Sequence, residues 1–359
     1  MSDSAALRAA VGAALSREVR DLAEVRREPL EYDAFLAHRE VRRISGVAIA
    51  DGERIPWSMI EKTTEGPHLA VPYLTDNGGR EYAAYASGLL KDLAPSVRAP
   101  RAHRAFVEKD GRIVLWLEEI HHEGARPLDR ESILAAARDL GGLAGRWIGR
   151  DLVQPWLFSG WIDRHGQPEA VARSRALLAR RHPAVLDRLG EDRVDGAERL
   201  IRAQPQVRDI LEALPRTLCH HDAVGANVFR SRGGTVLIDW ESVGPGPVGA
   251  DLASLLFASV RRGDASIAVV APLLDEAFEA YAEGLRVEAP SVEIGDVRRG
   301  LDAAIALRWK LAADVAEGLE RGGAPRRGSL ADEPPEEALD ELIALVDVLL
   351  EGADRVLRG

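Results

Sequence analysis

From residue 131 onward, apolar residues recur at helical spacing, and that pattern breaks once, between residues 218 and 253. The stretches ESILAAARDLGGLAGRWI (131–148), AVARSRALLARRH, AERLIRAQPQVRDILEAL and VVAPLLDEAFEAYAEGLR are separated by turns containing Gly or Pro. Asp129 is placed to cap the first of them. GLDAAIALRWKLAADVAEGLE (300–320) sets Leu301, Ile305 and Trp309 on one stripe, and EEALDELIALVDVLLEGADRVL (336–357) closes the chain as an amphipathic helix. Residues 321–335 between these two read as an exposed loop. The exception, LCHHDAVGANVFRSRGGTVLIDWESVGPGPVGADLA (218–253), reads as a loop, a short strand, a Gly-Gly turn and a second strand. Two-thirds of the chain is thus committed to a helical unit with one β insert.

The first third follows the opposite rule. Helical spacing from Ala5 to about Arg27 gives way to two strand patterns, 41–50 and 55–63, joined by Asp51-Gly52-Glu53-Arg54. Asp76 or Asn77 is placed to cap a helix from about Gly79 to Leu93, on which Glu81, Tyr85 and Leu89 share a face. IVLWLEEI (113–120) is a further strand. The expected architecture is α+β: a small antiparallel sheet with one helix over residues 1–119, and a larger, mostly helical unit over residues 120–359. A 359-residue chain with 46% hydrophobic residues can fill two such cores.

A net charge of -11 argues against a nucleic-acid surface. No run of about 18 apolar residues occurs and the N-terminal segment does not read as a signal peptide, so no membrane association is expected. The single cysteine, Cys219, fits a reducing, cytoplasmic setting and a buried apolar role.

The chemistry concentrates in the insert. Phosphoryl transfer needs a carboxylate to orient and deprotonate the acceptor hydroxyl, oxygen ligands for magnesium, and a cation on the non-transferred phosphates. Asp222 and, five residues on, Asn227 supply a carboxylate and an amide from one short loop, and Thr235-Val236-Leu237-Ile238-Asp239 is an apolar strand ending in a carboxylate. His220, His221 and Asp222 also suggest a metal hydrolase, but adjacent residues in extended chain point in alternate directions and rarely share one ion.

The pattern H-x-D-x-x-x-x-N (220–227) followed by I-D-W-E (238–241) resembles the catalytic and metal motifs of the aminoglycoside phosphotransferase and choline kinase family, whose fold is that of the protein kinases. The resemblance implies a two-lobed fold binding ATP (or GTP) and Mg2+ in the cleft, with a small hydroxyl-bearing molecule as acceptor and no protein partner. It implies Asp222 as catalytic base, Asn227 and Asp239 as magnesium ligands, and His220 and Asp251 as supports of the catalytic loop. Lys62, at a strand end, is similar to the family's phosphate-binding lysine, and Glu81 to its helix-borne partner. Backbone groups near Glu118 and Glu119 would hold the adenine. The chain departs from kinases in lacking G-x-G-x-x-G over residues 45–52, and in carrying His221 where glycine or asparagine is frequent. Acceptors other than an aminoglycoside (choline, a sugar, an amino acid) stay open, as does an inactive nucleotide-binding relative.

Overall fold

The computed structural model describes residues 3–30, 39–64, 77–323 and 334–358. The chain divides into two compact units: one is Met1–Asp92, Arg98–His121 and Val236–Glu241, the other Leu93–Val97, His122–Thr235 and Ser242–Gly359.

In the first unit α1 (Asp3–Leu15) precedes three long strands, β1 (Asp21–Pro29), β2 (Arg39–Ala50) and β3 (Glu53–Thr64). Then come α2 (Asn77–Ser87), β5 (Ala102–Val107) and β6 (Ile113–Leu117), with the two-residue β4 (Val97–Arg98) at the boundary between the units' segments. The sheet runs β1-β2-β3-β6-β5, every pair antiparallel. Asp51 and Gly52, at φ 49° and 82°, turn β2 into β3, the double positive φ of the tight turn that matches strand twist. Leu7 and Val11 of α1 pack with Ile44, Met59 and Trp116 from the sheet. Trp116 donates through Nε1 to Glu61 Oε2 at 2.9 Å, so the buried indole has a partner.

The helix expected to about Arg27 stops at Leu15. Ser16 takes φ 52°, and Arg17 N reaches back to Gly12 O at 3.1 Å, a Schellman closure built without glycine at the left-handed position. Residues 21–29 instead form β1, an edge strand with mostly exposed side chains. Its charge-rich composition suits an edge strand as well as a helix, and pairing with β2 decides between them. The helix expected from Gly79 to Leu93 ends at Ser87, where Gly88 turns at φ 81° into a single 3-10 turn over Leu89–Lys91. Asp76 lies outside the described residues.

The second unit is helical, as expected. Asp129 caps α3 (Arg130–Trp147), its carboxylate accepting from Ser132 N at 2.9 Å. The expected helix over residues 300–320 is two helices, Ile294–Ala306 and Lys310–Glu320. Leu307, Arg308 and Trp309 turn the chain between them and are all buried, so tertiary anchoring overrides the apolar stripe. The last helix runs Pro335–Arg358, and residues 324–333 of the loop expected before it lie outside those described.

Within residues 218–253 come β7 (Arg216–Cys219), a 3-10 turn over Gly225–Asn227, β8 (Val228–Ser231), β9 (Gly234–Leu237) and β10 (Gly244–Pro247). β7 and β10 pair antiparallel with Cys219 opposite Gly244, a two-stranded ribbon that the alternation pattern did not disclose. A helix then starts at Ala250 and takes π geometry over Ser254–Ala258. Among the described residues, no helix is long and apolar enough to cross a membrane.

Candidate active site

The first unit gathers three residues that lie far apart in sequence. Lys62, near the end of β3, places Nζ 2.6 Å from Glu81 Oε2 on α2 and 2.5 Å from Asp239 Oδ1, just beyond β9. Glu81 is buried, and its second oxygen, Oε1, has no hydrogen-bond partner. A buried carboxylate this enclosed needs the ammonium beside it. Asp239 itself adopts φ 63°, a left-handed conformation that Asp tolerates better than most residues. The following turn holds it there: Trp240 is buried and donates through Nε1 to Leu237 O at 2.7 Å, and Arg80 Nη1 donates to Glu241 O at 2.7 Å. Burial raises the Tyr85 hydroxyl well above its ordinary range, and the carboxylates of Glu81, Asp239 and Glu118 push it further.

Glu118 and Glu119 do not join this cluster. Glu118 pairs with Arg98 at 2.7 Å and accepts from Arg101 N, while Glu119 pairs with Arg43. Burial alone would raise both carboxyls, but these partners, with Ser58 for Glu119, outweigh it and hold both below the ordinary value. Glu118 N is taken by Arg101 O at 2.8 Å.

In the second unit the loop after β7 is pinned at nearly every residue. Asp251, two residues into its helix, accepts from His220 N at 2.7 Å and from His221 N at 2.8 Å, one bond to each oxygen. His220 Nδ1 accepts from Asp222 N at 3.3 Å. Asn227 Nδ2 donates to both Asp222 O and Asp222 Oδ2, at 2.9 and 2.8 Å. That pair fixes the Asp222 carboxylate while its side chain keeps 31% exposure, enough to meet a ligand. Burial pushes the Asp251 carboxyl up, while His220 and the two backbone N–H groups pull the other way.

His221 takes φ 64° and is buried, with its ring stacked on Trp161 at 5.2 Å and edge-on to Phe158 at 6.1 Å. Neither ring nitrogen has a hydrogen-bond partner, and burial drives its pKa well below the ordinary value, so the ring is neutral. It packs as an aromatic rather than acting as a base.

Three further supports escaped the sequence reading. Ser259 Oγ accepts from Gly225 N at 2.9 Å, Asp264 Oδ2 accepts from Ala226 N at 3.1 Å, and Arg126 donates to Gly225 O and to Val228 O. Each acts on loop backbone from a distant element, so no short motif marks them. Cys219 is free and buried, as expected, and burial raises its thiol.

One unit therefore presents an ammonium between two carboxylates, and the other a rigid loop bearing an oriented carboxylate and amide. Hard oxygen donors of this kind suit a magnesium-sized ion, and a lysine beside them suits a phosphate.

The chain resembles known proteins chiefly in fold. It shares 14% identity with an aminoglycoside phosphotransferase from Alicyclobacillus acidocaldarius, with a TM-score of 0.50 over 92% of this chain and 93% of that one. A choline kinase from Cryptosporidium parvum gives 11% identity and a TM-score of 0.51 over 93% of this chain and 90% of that one. The fold is protein-kinase-like. No curated protein matches in sequence. The model of one family, described as the phosphotransferase enzyme family, matches residues 79–290, more than half of the 359. The chain belongs to that phosphotransferase family.

Proposed function

We propose that the protein is a small-molecule kinase that moves the terminal phosphoryl group of ATP, or GTP, to an acceptor hydroxyl. The observation that carries this reading is the ion-paired set of Lys62, Glu81 and Asp239, drawn from positions as much as 177 residues apart. Chance surface pairing does not draw a lysine largely out of solvent between two acids from separate elements.

In this reading Lys62, steadied by Glu81, binds the non-transferred phosphates. Asp239 and the oxygen of Asn227 hold Mg2+, which when bound offsets the phosphate charge. The donor set fits such an ion: Asn227 commits its nitrogen to Asp222, so its oxygen is the coordinating atom, and Asp239 already attracts a cation in Lys62. Asp222 accepts the proton of the acceptor hydroxyl, with His220 and Asp251 keeping its loop in place. Glu118 N is already bonded, so the adenine edge falls to the Glu118 carbonyl and the backbone of Glu119. The residues form a complete catalytic set, which favours an enzyme over an inactive relative.

The test combines nucleotide binding with turnover. MgATP should raise the melting temperature by several degrees at about a hundred times its Kd, and Asp239→Ala should lack the magnesium-dependent part. Asp222→Asn should keep the shift and lose about 100-fold or more in turnover. Absence of any shift with MgATP or MgGTP would end the kinase reading, and equal loss of binding and turnover in Asp222→Asn would end the assignment of the base.

A further inference from the structure

The surroundings of Asp222 carry an unusual charge balance for an enzyme whose relatives in fold include choline and aminoglycoside kinases. Arg262 places Nη1 3.9 Å from Asp222 Oδ2. Its Nε lies 3.5 Å from Asp264 Oδ2, yet that buried nitrogen makes no hydrogen bond. The side chain is 31% exposed, as is the Asp222 carboxylate it flanks, so part of each is open to a ligand.

A second guanidinium lies within electrostatic reach of Asp222. Arg308 is 5% exposed and donates to two neutral oxygens, Ala304 O at 2.7 Å and Ser254 Oγ at 2.8 Å. No carboxylate among the described residues lies within ion-pair distance of it. Its guanidinium sits 5.6 Å from the ring of Trp161, the same ring on which His221, the neighbour of Asp222, is stacked. A buried guanidinium without a counter-ion is costly. Burial, with Arg261 and Arg164 close by, lowers its pKa to about 10 against the pull of Asp222 and Asp251, which still leaves it charged at neutral pH. Ser254, its hydrogen-bond partner, opens the π-helical segment Ser254–Ala258, an irregularity often found at functional sites.

The nearby carboxylates offset this charge only in part: Asp222 and Asp251 favour the charged form of Arg308, but burial and the neighbouring arginines outweigh them. Asp251 is committed to two backbone N–H groups, Asp264 to Ala226 N, and Asp314 to Arg261. An acceptor carrying an ammonium group would meet the Arg262 guanidinium next to the base, whereas an anion would pair with its partly exposed side chain and add to the incomplete counter-charge. We propose that the acceptor is an alcohol bearing an anionic group, a carboxylate or a phosphate monoester, which Arg262 holds beside Asp222 while the buried charge of Arg308 favours it electrostatically. Planar guanidinium donors match either anion in bidentate geometry. This rests on the kinase reading and narrows it to a substrate class.

The experiment uses the full chain saturated with MgADP, so that the nucleotide's own phosphate sites are filled. Four probes of similar size are titrated by thermal shift: glycerol, glycerate, glycerol 3-phosphate and choline. At least one of the two anions should bind about tenfold or more tightly than glycerol, and choline should give no shift. The better anion identifies the group, carboxylate or phosphate. Arg262→Gln should remove that preference and Arg262→Lys restore part of it, while the MgADP shift stays unchanged. Arg308→Gln should act in the same direction, and if the loss of so buried a group prevents folding, the two Arg262 variants decide alone. Anions no better than glycerol, tighter binding of choline, or a preference that survives Arg262→Gln would each overturn the proposal. Failure of MgADP itself to stabilise the protein would strike the kinase reading instead, a separate outcome read before any acceptor is added.

Discussion

At the scale of single residues, the loop that carries Asp222 is held by groups that bond to backbone, and Asp251 does most. Both of its oxygens are occupied, by His220 N and His221 N. Asp251→Asn keeps the shape but replaces one accepting oxygen with a donating nitrogen, so one buried N–H loses its partner and faces another donor. Leaving such a group unsatisfied costs about 1–3 kcal/mol. The expected result is a melting temperature lower by several degrees and a fall in turnover, with nucleotide affinity little changed. If Asp251→Asn lowered stability without touching turnover, the loop's geometry would not depend on this brace. The same residue shows what a sequence can disclose at this scale. H-x-D-x-x-x-x-N and the later Asp251 were visible as a pattern because they are side chains of fixed type at fixed spacing. Ser259, Asp264 and Arg126 were not, because a hydrogen bond to a loop backbone constrains the partner's position in space and leaves no trace in spacing.

At the scale of elements, the loop's brace depends on how closely two helices approach. α3 crosses the helix Leu274–Glu288 over glycines: a Cβ on Gly141 would lie 1.9 Å from Tyr281 O, and one on Gly284 2.0 Å from Arg138 O. That approach sets Tyr281, whose hydroxyl accepts from Gly249 N at 3.2 Å at the head of the helix bearing Asp251. In an ordinary helix, Gly→Ala gains about 1 kcal/mol. Here the sign should depend on position. Gly141→Ala should destabilise by about 1–3 kcal/mol or more through overpacking against backbone that cannot yield. Gly142→Ala, whose Cβ would meet nothing closer than 3.8 Å, should be neutral or stabilising. Denaturant unfolding of the two variants checks this, and a gain in stability for Gly141→Ala would mean that the helices are free to separate. The apolar periodicity of both helices was legible in the sequence, but their closeness was not, since glycine in a helical pattern reads equally as weakness. Local pattern also failed where a neighbour decided the outcome: β1 became a strand by pairing with β2, and the stripe through Leu301, Ile305 and Trp309 broke where Trp309 Nε1 reached His165 O. The sheet of the first unit and the helical character of the second were legible because each rests on periodicity sustained over many residues.

At the scale of the whole molecule, buried and half-buried histidines set how stability responds to acid. Burial lowers the pKa of His221 and His165 well below the ordinary value of 6.5, and lowers His103 and His122 in the same direction. In the folded state these rings stay neutral where the unfolded chain takes up protons. Their contribution is therefore intact above pH 6.5 and lost as pH falls from there toward their folded values. Each strongly shifted ring adds up to about 1.4 kcal/mol per pH unit within that window. Asp129, Glu118 and Glu119, held below their ordinary values of 3.8, 4.5 and 4.5, extend the loss only at lower pH. Asp251 and Asp264, whose carboxyls burial raises, act with the opposite sign and gain stability as pH falls toward the carboxyl range. The melting temperature should thus begin to fall near pH 6.5, well before ordinary carboxylates titrate. His221→Asn isolates one contribution, because Asn accepts the left-handed backbone at φ 64° and does not titrate. It forfeits the stack on Trp161, so its absolute stability is no guide, but its melting temperature should decline less steeply between pH 7.5 and 5.5 than that of the native protein. An unchanged slope would show that His221 is protonated in the folded state, and the neutral aromatic role assigned to it beside Asp222 would then be wrong.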